Sequence, residues 1–279
     1  MLIKPATCNL QPTTYNYLQP TTYNLQPTMP KLYLLALALT AGMCSLQAQD
    51  GRLNKGHALL PHISYAVQEP GGDLIDRYGT NFNIGLGIDY LTSEKNWILG
   101  FAGGYIFGQD VKTDVLAGLR TPDGNIIGND RSYVDIQTRQ RGFYAGMHVG
   151  KIISLSSLNP RSGIRFTVGA GLLQHKIRIQ DAPFTSVPQL SDKYKKGYDR
   201  LTNGLALQQF IGYQLLSANR LVNFYAGFEL TQGFTRSRRD FDFDTRQKDD
   251  ADRLDLLFGF RLGWILPFYF GQEADEVYY

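Results

Sequence analysis

Cysteine is all but missing. The 279 residues hold two, Cys8 and Cys44, and both precede Ala48, a plausible signal-peptide cut. The expected mature chain therefore has neither a disulfide nor a thiolate metal site. An exported chain without cysteine must be held together by other means, and a closed ring of hydrogen-bonded strands supplies them. Net charge is scarce as well. The formal sum is +3; residues 1–48 contribute two lysines and no acid, leaving 26 basic against 25 acidic residues beyond them. That balance gives no global pull toward nucleic acid, so no nucleic-acid partner is expected. Long apolar runs are the third absence. Leu32 to Met43 covers about a dozen residues, short of the ~20 that a spanning helix needs. Nothing after residue 48 comes closer, so a membrane would have to be crossed by strands.

The first 28 residues are polar and proline-rich. Leu-Gln-Pro-Thr-Thr-Tyr-Asn stands at 10–16 and again at 18–24, with no apolar period, and no structure is expected there. Met29 opens a signal-peptide pattern, with Lys31 as the positive end and Leu32–Met43 as the apolar core. Residues 1–28 are therefore read as a non-native or disordered extension and 29–48 as the signal peptide. A lead-in follows at 49–56, then a barrel at 57–270 and a tail at 271–279. Lipidation at Cys44 is disfavoured, because Met43 occupies the place where a small residue is wanted.

What is abundant is alternation. From Arg253 to Phe270 every even position is apolar, while the odd positions include Arg253, Asp255, Gly259, Arg261 and Gly263. Period two means a strand, because successive side chains leave opposite faces of the pleat. The same pattern predicts strands near 57–67, 80–92, 97–108, 135–154, 163–180, 201–215 and 221–236. In the second, Phe82, Ile84, Leu86, Ile88 and Tyr90 share one face; in the seventh, Phe224, Phe228, Leu230 and Phe234 do. Within the fifth the phase flips after Leu172, where Leu173, His175, Ile177 and Ile179 become the apolar set; this predicts a bulge or passage out of the bilayer. Links between strands alternate between long and short. Apolar faces this long and aromatic suit lipid outside and polar groups inside. The expected fold is an all-β, eight-stranded antiparallel up-and-down transmembrane β-barrel, monomeric, with a closed lumen and mobile external loops. A soluble calyx would need the reverse orientation.

Arg261-Leu262-Gly263-Trp264-Ile265-Leu266-Pro267-Phe268 resembles the C-terminal insertion signal of bacterial outer-membrane barrels, with Arg261, Gly263, Leu266 and Phe268 at its defining positions. Beyond residue 48 the chain is similar to the small OmpA/OmpX-like barrels of the Bacteroidota. The resemblance implies residence in the cell outer membrane, contact with its lipid and lipopolysaccharide, and insertion by the outer-membrane barrel assembly machinery. Nine residues follow the last aromatic of the signal's strand, unlike barrels that end on the signal itself. A likeness to PorG-type barrels implies a protein partner in an outer-membrane secretion complex.

Eight strands enclose a space just wide enough for side chains. The inward polar set is His62, Asp89, His148, Arg165, Glu229, Asp255 and Arg261. Glu229 and Arg261 fall at similar depth on adjacent strands and are expected to pair, because a lone buried charge costs several kcal/mol. This network is read as a lumen plug, against a gate or narrow pore. Lys193, Lys195, Lys196 and Arg200 sit among tyrosines in the third long loop, where they suit lipopolysaccharide phosphates. The enzyme readings are thin. His62-Ile63-Ser64 resembles the His-x-Ser of lipid A deacylases but falls on the first strand. His175 near the outer rim, with Asp181 and Ser186 downstream, would serve an acyltransferase. Asp240-x-Asp242-x-Asp244 opens like a calcium loop, yet Thr245 and Ala251 occupy the glycine and closing-acid positions. No enzyme activity, cofactor or metal is expected; the work is read as envelope structure, surface interaction or an accessory subunit.

Overall fold

The structure is a computed structural model and describes residues 56–157, 159–180, 187–217 and 222–270. The expectations for the extension, signal peptide, lead-in and tail lie outside the described residues, as do Asp181 and Ser186.

Eight long strands form a ring: β1 (His57–Gly72), β2 (Asn81–Leu91), β3 (Trp97–Gly108), β6 (Gln137–Ser154), β7 (Gly163–Gln180), β8 (Thr202–Leu216), β9 (Asn223–Ser237) and β10 (Asp252–Ile265). Each pairs antiparallel with its neighbours in chain order, and β10 closes onto β1. A two-stranded hairpin, β4 (Ile126–Ile127) and β5 (Tyr133–Val134), lies within the link from β3 to β6. The last short strand, β11 (Phe268–Phe270), continues along β1.

Alternation decides which face meets what. Leu86, Phe228, Phe258 and Phe260 are exposed on the outside, while Asn83, Asp89, Glu229 and Asp255 are buried inside. Aromatic and β-branched residues stand where acyl chains would be; the charged ones surround the axis. This is a transmembrane barrel turned the way P-x-P-x alternation with an apolar exterior requires.

The register is unbroken at every seam, so the shear can be read directly. A perpendicular row begun at His62 passes Gly87, Ala102, Gly146, Gly171, Ala206, Gly233 and Asp255 and returns to β1 at Gly72, ten residues further along. Ten steps of ~3.3 Å against eight spacings of ~4.8 Å tilt the strands by roughly 40°. The outward apolar run of β7, Ile164 to Leu172, then rises about 20 Å, close to the ~25 Å apolar band of such barrels.

Four expectations need correction. There is no bulge after Leu172: β6 and β7 stay in one register from Ser154↔Gly163 to Gln137↔Gln180. Leu173, Ile177 and Ile179 keep pointing inward. What changes is the content of the inward face, which turns apolar because loops fold over it. Second, β1 runs to Gly72 instead of ending near residue 67, which shortens the first link to 73–80. Third, the final strand is interrupted at Leu266-Pro267. Pro267 has no N–H to donate, yet the pairing phase survives it: His62 faces Ile265 before the break and Leu59 faces Phe268 after it. Fourth, the external loops carry a packed core.

That core closes the loop end of the barrel. Leu74 and Tyr78 from the first link and Val115, Leu116, Ile126 and Val134 from the second pack with Val187 and Leu190 from the third. All rest on Ile106, Leu173, Ile177 and Leu257 of the strands. A second apolar cluster fills the turn end, with Leu60, Leu91, Ile98, Ile152, Phe210, Leu216, Tyr225 and Ile265.

Candidate functional site

Between the two apolar plugs lies a polar lumen in tiers. The tier nearest the turn end centres on Asp89. His148 Nε2 stands 2.7 Å from Asp89 Oδ1. Arg165 Nη2 is 2.7 Å from Asp89 Oδ2, and His62 Nδ1 is 3.7 Å from the same oxygen. No hydrogen bond reaches Oδ2 by direction, so Arg165 holds it as an ion pair with the N–H off axis. Arg165 also donates to Gln214 at 2.9 Å and lies over the Tyr225 ring, 4.7 Å from its centre.

The middle tier is the pair of Glu229 and Arg261, Nε to Oε2 2.6 Å. Gln68 donates to the other Glu229 oxygen at 2.8 Å, and Arg261 Nη1 donates to Ser64 at 2.9 Å. Above it, Asp255 accepts from Thr235 and stands 2.8 Å from His175 Nε2. Every sequence-predicted lumen residue is thus inside, and the seven divide into separate tiers instead of one chain of contacts.

Glycines make these contacts possible. Asp89, Gly100 and His148 share one perpendicular row on three consecutive strands. A Cβ on Gly100 would lie 2.2 Å from Asp89 Oδ1 and 2.5 Å from His148 Nε2, so the two side chains meet only because β3 has none there. Glu229, Gly259 and Gln68 repeat the device across β9, β10 and β1.

Above the lumen the loops carry their own ion pairs. Asp249 takes Arg253 and, at 3.4 Å, Arg77; Asp199 takes Arg239 through two contacts of 2.6 and 2.7 Å; Asp244 takes Arg200. Asp242 is buried with one carboxylate oxygen unpartnered. Burial pushes its carboxyl upward, with the charges of Asp244 and Asp249 adding to the effect against Arg200. The calcium-like run is therefore dispersed: Asp244 serves Arg200, Asp240 faces solvent, and no metal-binding group of three occurs among the described residues.

The other sequence candidates separate too. His175 is not at the rim: it is buried in the lumen against Asp255, with Tyr78 edge-on to its ring, because the inward phase of β7 continues past Leu172. His62 and Ser64 both point inward, but His62 turns to the Leu60 carbonyl and Ser64 to Arg261. The third-loop cations split: Lys193 and Lys196 are exposed, Lys195 lies 3.9 Å from Asp192 in the one-turn helix α1 (Asp192–Lys195), and Arg200 is taken by Asp244. Of the insertion-signal positions, Arg261 and Gly263 are inside, with Gly263 lying under the Tyr225 ring; Leu266 and Phe268 are exposed outside. The loop cap and its ion pairs escaped sequence reading. Leu74, Tyr78, Val115 and Leu116 interrupt otherwise polar links, and that was the available signal.

No protein-family model matches the chain, and no curated protein does. Solved structures of outer-membrane proteins resemble it, three of them as follows. Ail, the attachment invasion locus protein of Yersinia pestis, in complex with the heparin analogue sucrose octasulfate, is 12% identical with a TM-score of 0.38, over 77% of this chain and 99% of that one. The outer membrane protein OprG from Pseudomonas aeruginosa is 12% identical with a TM-score of 0.32, over 80% and 99%. A TodX monoaromatic hydrocarbon channel mutant is 8% identical with a TM-score of 0.25, over 81% and 94%.

Proposed function

We propose that this chain is a non-catalytic integral protein of the bacterial outer membrane whose lumen is a structural plug and whose work is done at its outward surfaces. The observation that carries the reading is the double closure. Apolar side chains fill both ends, and each lumen charge between them has a partner of opposite sign or a hydrogen-bonding one. Removing one partner of such a pair is costly, which suits a scaffold better than a gate. An enzyme reading loses its support here, since His175 is engaged with Asp255 and Ser64 with Arg261.

Its work, in this reading, is envelope structure or surface interaction, and the capped loops offer a firm surface to a partner. An accessory role in an outer-membrane secretion complex, as in PorG-type barrels, is the narrower form of the proposal. Insertion by the barrel assembly machinery through the 261–268 segment belongs to it as well. The purified barrel in a planar bilayer is expected to give no unitary current. Stable openings of defined conductance would refute the plug. Crosslinking in native membranes then separates the two roles: a fixed protein partner favours the complex, and lipid alone favours a solitary structural part.

A further inference from the structure

Four cations stand on the outer face of one hairpin, facing one another in like-charged pairs. In the register of β6 and β7, Arg139 lies directly opposite Arg178, and Arg141 directly opposite Lys176. All four share the parity of the outward residues Phe143, Met147 and Leu172. Like charges facing each other across a sheet are destabilising, and here two such pairs are stacked one above the other.

Among the described residues no ion pair joins any of the four to a carboxylate; Arg139 reaches only Gln137 and Arg141 the Gln140 carbonyl. Asp199, whose carbonyl accepts from the Ile177 N–H at 2.7 Å, gives both carboxylate oxygens to Arg239. Two strands further round the ring, the outward Arg236 of β9 is instead paired with Asp252 of β10 at 2.7 Å.

The height of the patch is set by its neighbours. Phe107 faces Arg141 and Tyr105 faces Phe143. Tyr65, Phe82, Phe107 and Tyr105 form a run of ring contacts with centroids 5.8 to 6.2 Å apart. Such aromatics mark the boundary between acyl chains and head groups. The cations begin at that boundary and extend beyond it, toward the loop end.

We infer that Arg139, Arg141, Lys176 and Arg178 form a binding site for the phosphate groups of a phosphorylated glycolipid in the outer leaflet. The inference rests on the outer-membrane reading given above. Phosphate accepts charge-assisted hydrogen bonds from several cations at once, which would turn the mutual repulsion of the four into shared attraction. It also moves the expected lipid contact from the third loop to the β6–β7 hairpin.

The test compares the refolded wild-type barrel with R139Q/R141Q/K176Q/R178Q and with the milder R139Q/R178Q. Each is titrated in neutral detergent with bisphosphorylated lipid A, with the same lipid stripped of phosphate, and with soluble dextran sulfate. Wild type should retain the bisphosphorylated lipid and release the stripped one. Retention should fall roughly a thousand-fold in the quadruple variant and about thirty-fold in the double. Equal retention of stripped lipid, or unchanged retention by both variants, overturns the inference. Displacement of the lipid by an equal charge of dextran sulfate overturns the commitment to a membrane ligand. Membrane insertion of wild type, followed by its gel mobility before and after heating, reports on the barrel separately. Failure there would count against the outer-membrane reading itself, whereas normal insertion with unaltered binding counts against this site alone.

Discussion

At the scale of single residues, the buried pair of Glu229 and Arg261 is the most exposed to test. Its members sit in a lumen where little water can replace a lost partner, and Gln68 and Ser64 complete their hydrogen bonds. Glu229→Ala strands a guanidinium and is expected to cost about 3–5 kcal/mol. Replacing both, Glu229→Met with Arg261→Met, removes the charges together and should recover most of that loss. Urea unfolding in lipid vesicles measures both; single variants that unfold at the wild-type midpoint would show that the pair holds nothing. The glycines make a second comparison. Gly100→Ala drives a methyl between Asp89 and His148 and should cost about 1–3 kcal/mol. Gly103→Ala, on the same strand but facing out, meets nothing nearer than the Tyr144 carbonyl at 3.6 Å, and its unfolding midpoint should stay within error of wild type.

At the scale of elements, the loop cap is tied by carboxylates whose affinities for protons are displaced in opposite directions. Burial would raise the Asp249 carboxyl, but the Arg253 hydrogen bond and charge, with Arg77 behind them, hold it below its ordinary value. A lowered carboxyl contributes stability that is present above the unfolded pKa of about 4 and is lost as pH falls through the folded one. Asp242 is raised by burial, so its ionisation opposes the folded cap and protonation relieves it. The cap should therefore tighten as pH falls from neutrality toward about 4 and loosen below that. Hydrogen exchange of 187–201 and 238–251 across this range measures it, and Asp242→Asn should abolish the tightening limb. Exchange that rises steadily from pH 7 downward would contradict the assignment.

At the scale of the whole molecule, shear and strand number together set the geometry. Eight strands with a ten-residue offset imply a tilt of roughly 40° and a backbone cylinder about 8 Å in radius. Polarised infrared dichroism of oriented membranes should return that tilt; a value below about 30° would require a different register. The narrow cylinder explains why the interior is filled and why glycine recurs beside long polar side chains. It also explains why surface chemistry, such as the facing cations of β6 and β7, is where specificity has room to reside.

Local order in the chain was enough for the eight long strands and for the inward and outward faces of most of them, but not for β7 beyond Leu172, where His175 joins the lumen. A period of two assigns each side chain to a face without reference to any other strand, so Asp89, Glu229 and Arg261 could be placed inside from local order alone. It could not say who meets whom. Asp89 joining His148, the continued inward turn of His175, the opposition of Arg139 to Arg178 and the burial of Leu74 with Leu116 all depend on inter-strand register and on loops that return over the mouth. Those are relations between segments far apart in the chain. Only the closed ring, with its ten-residue offset, brings them to the same height.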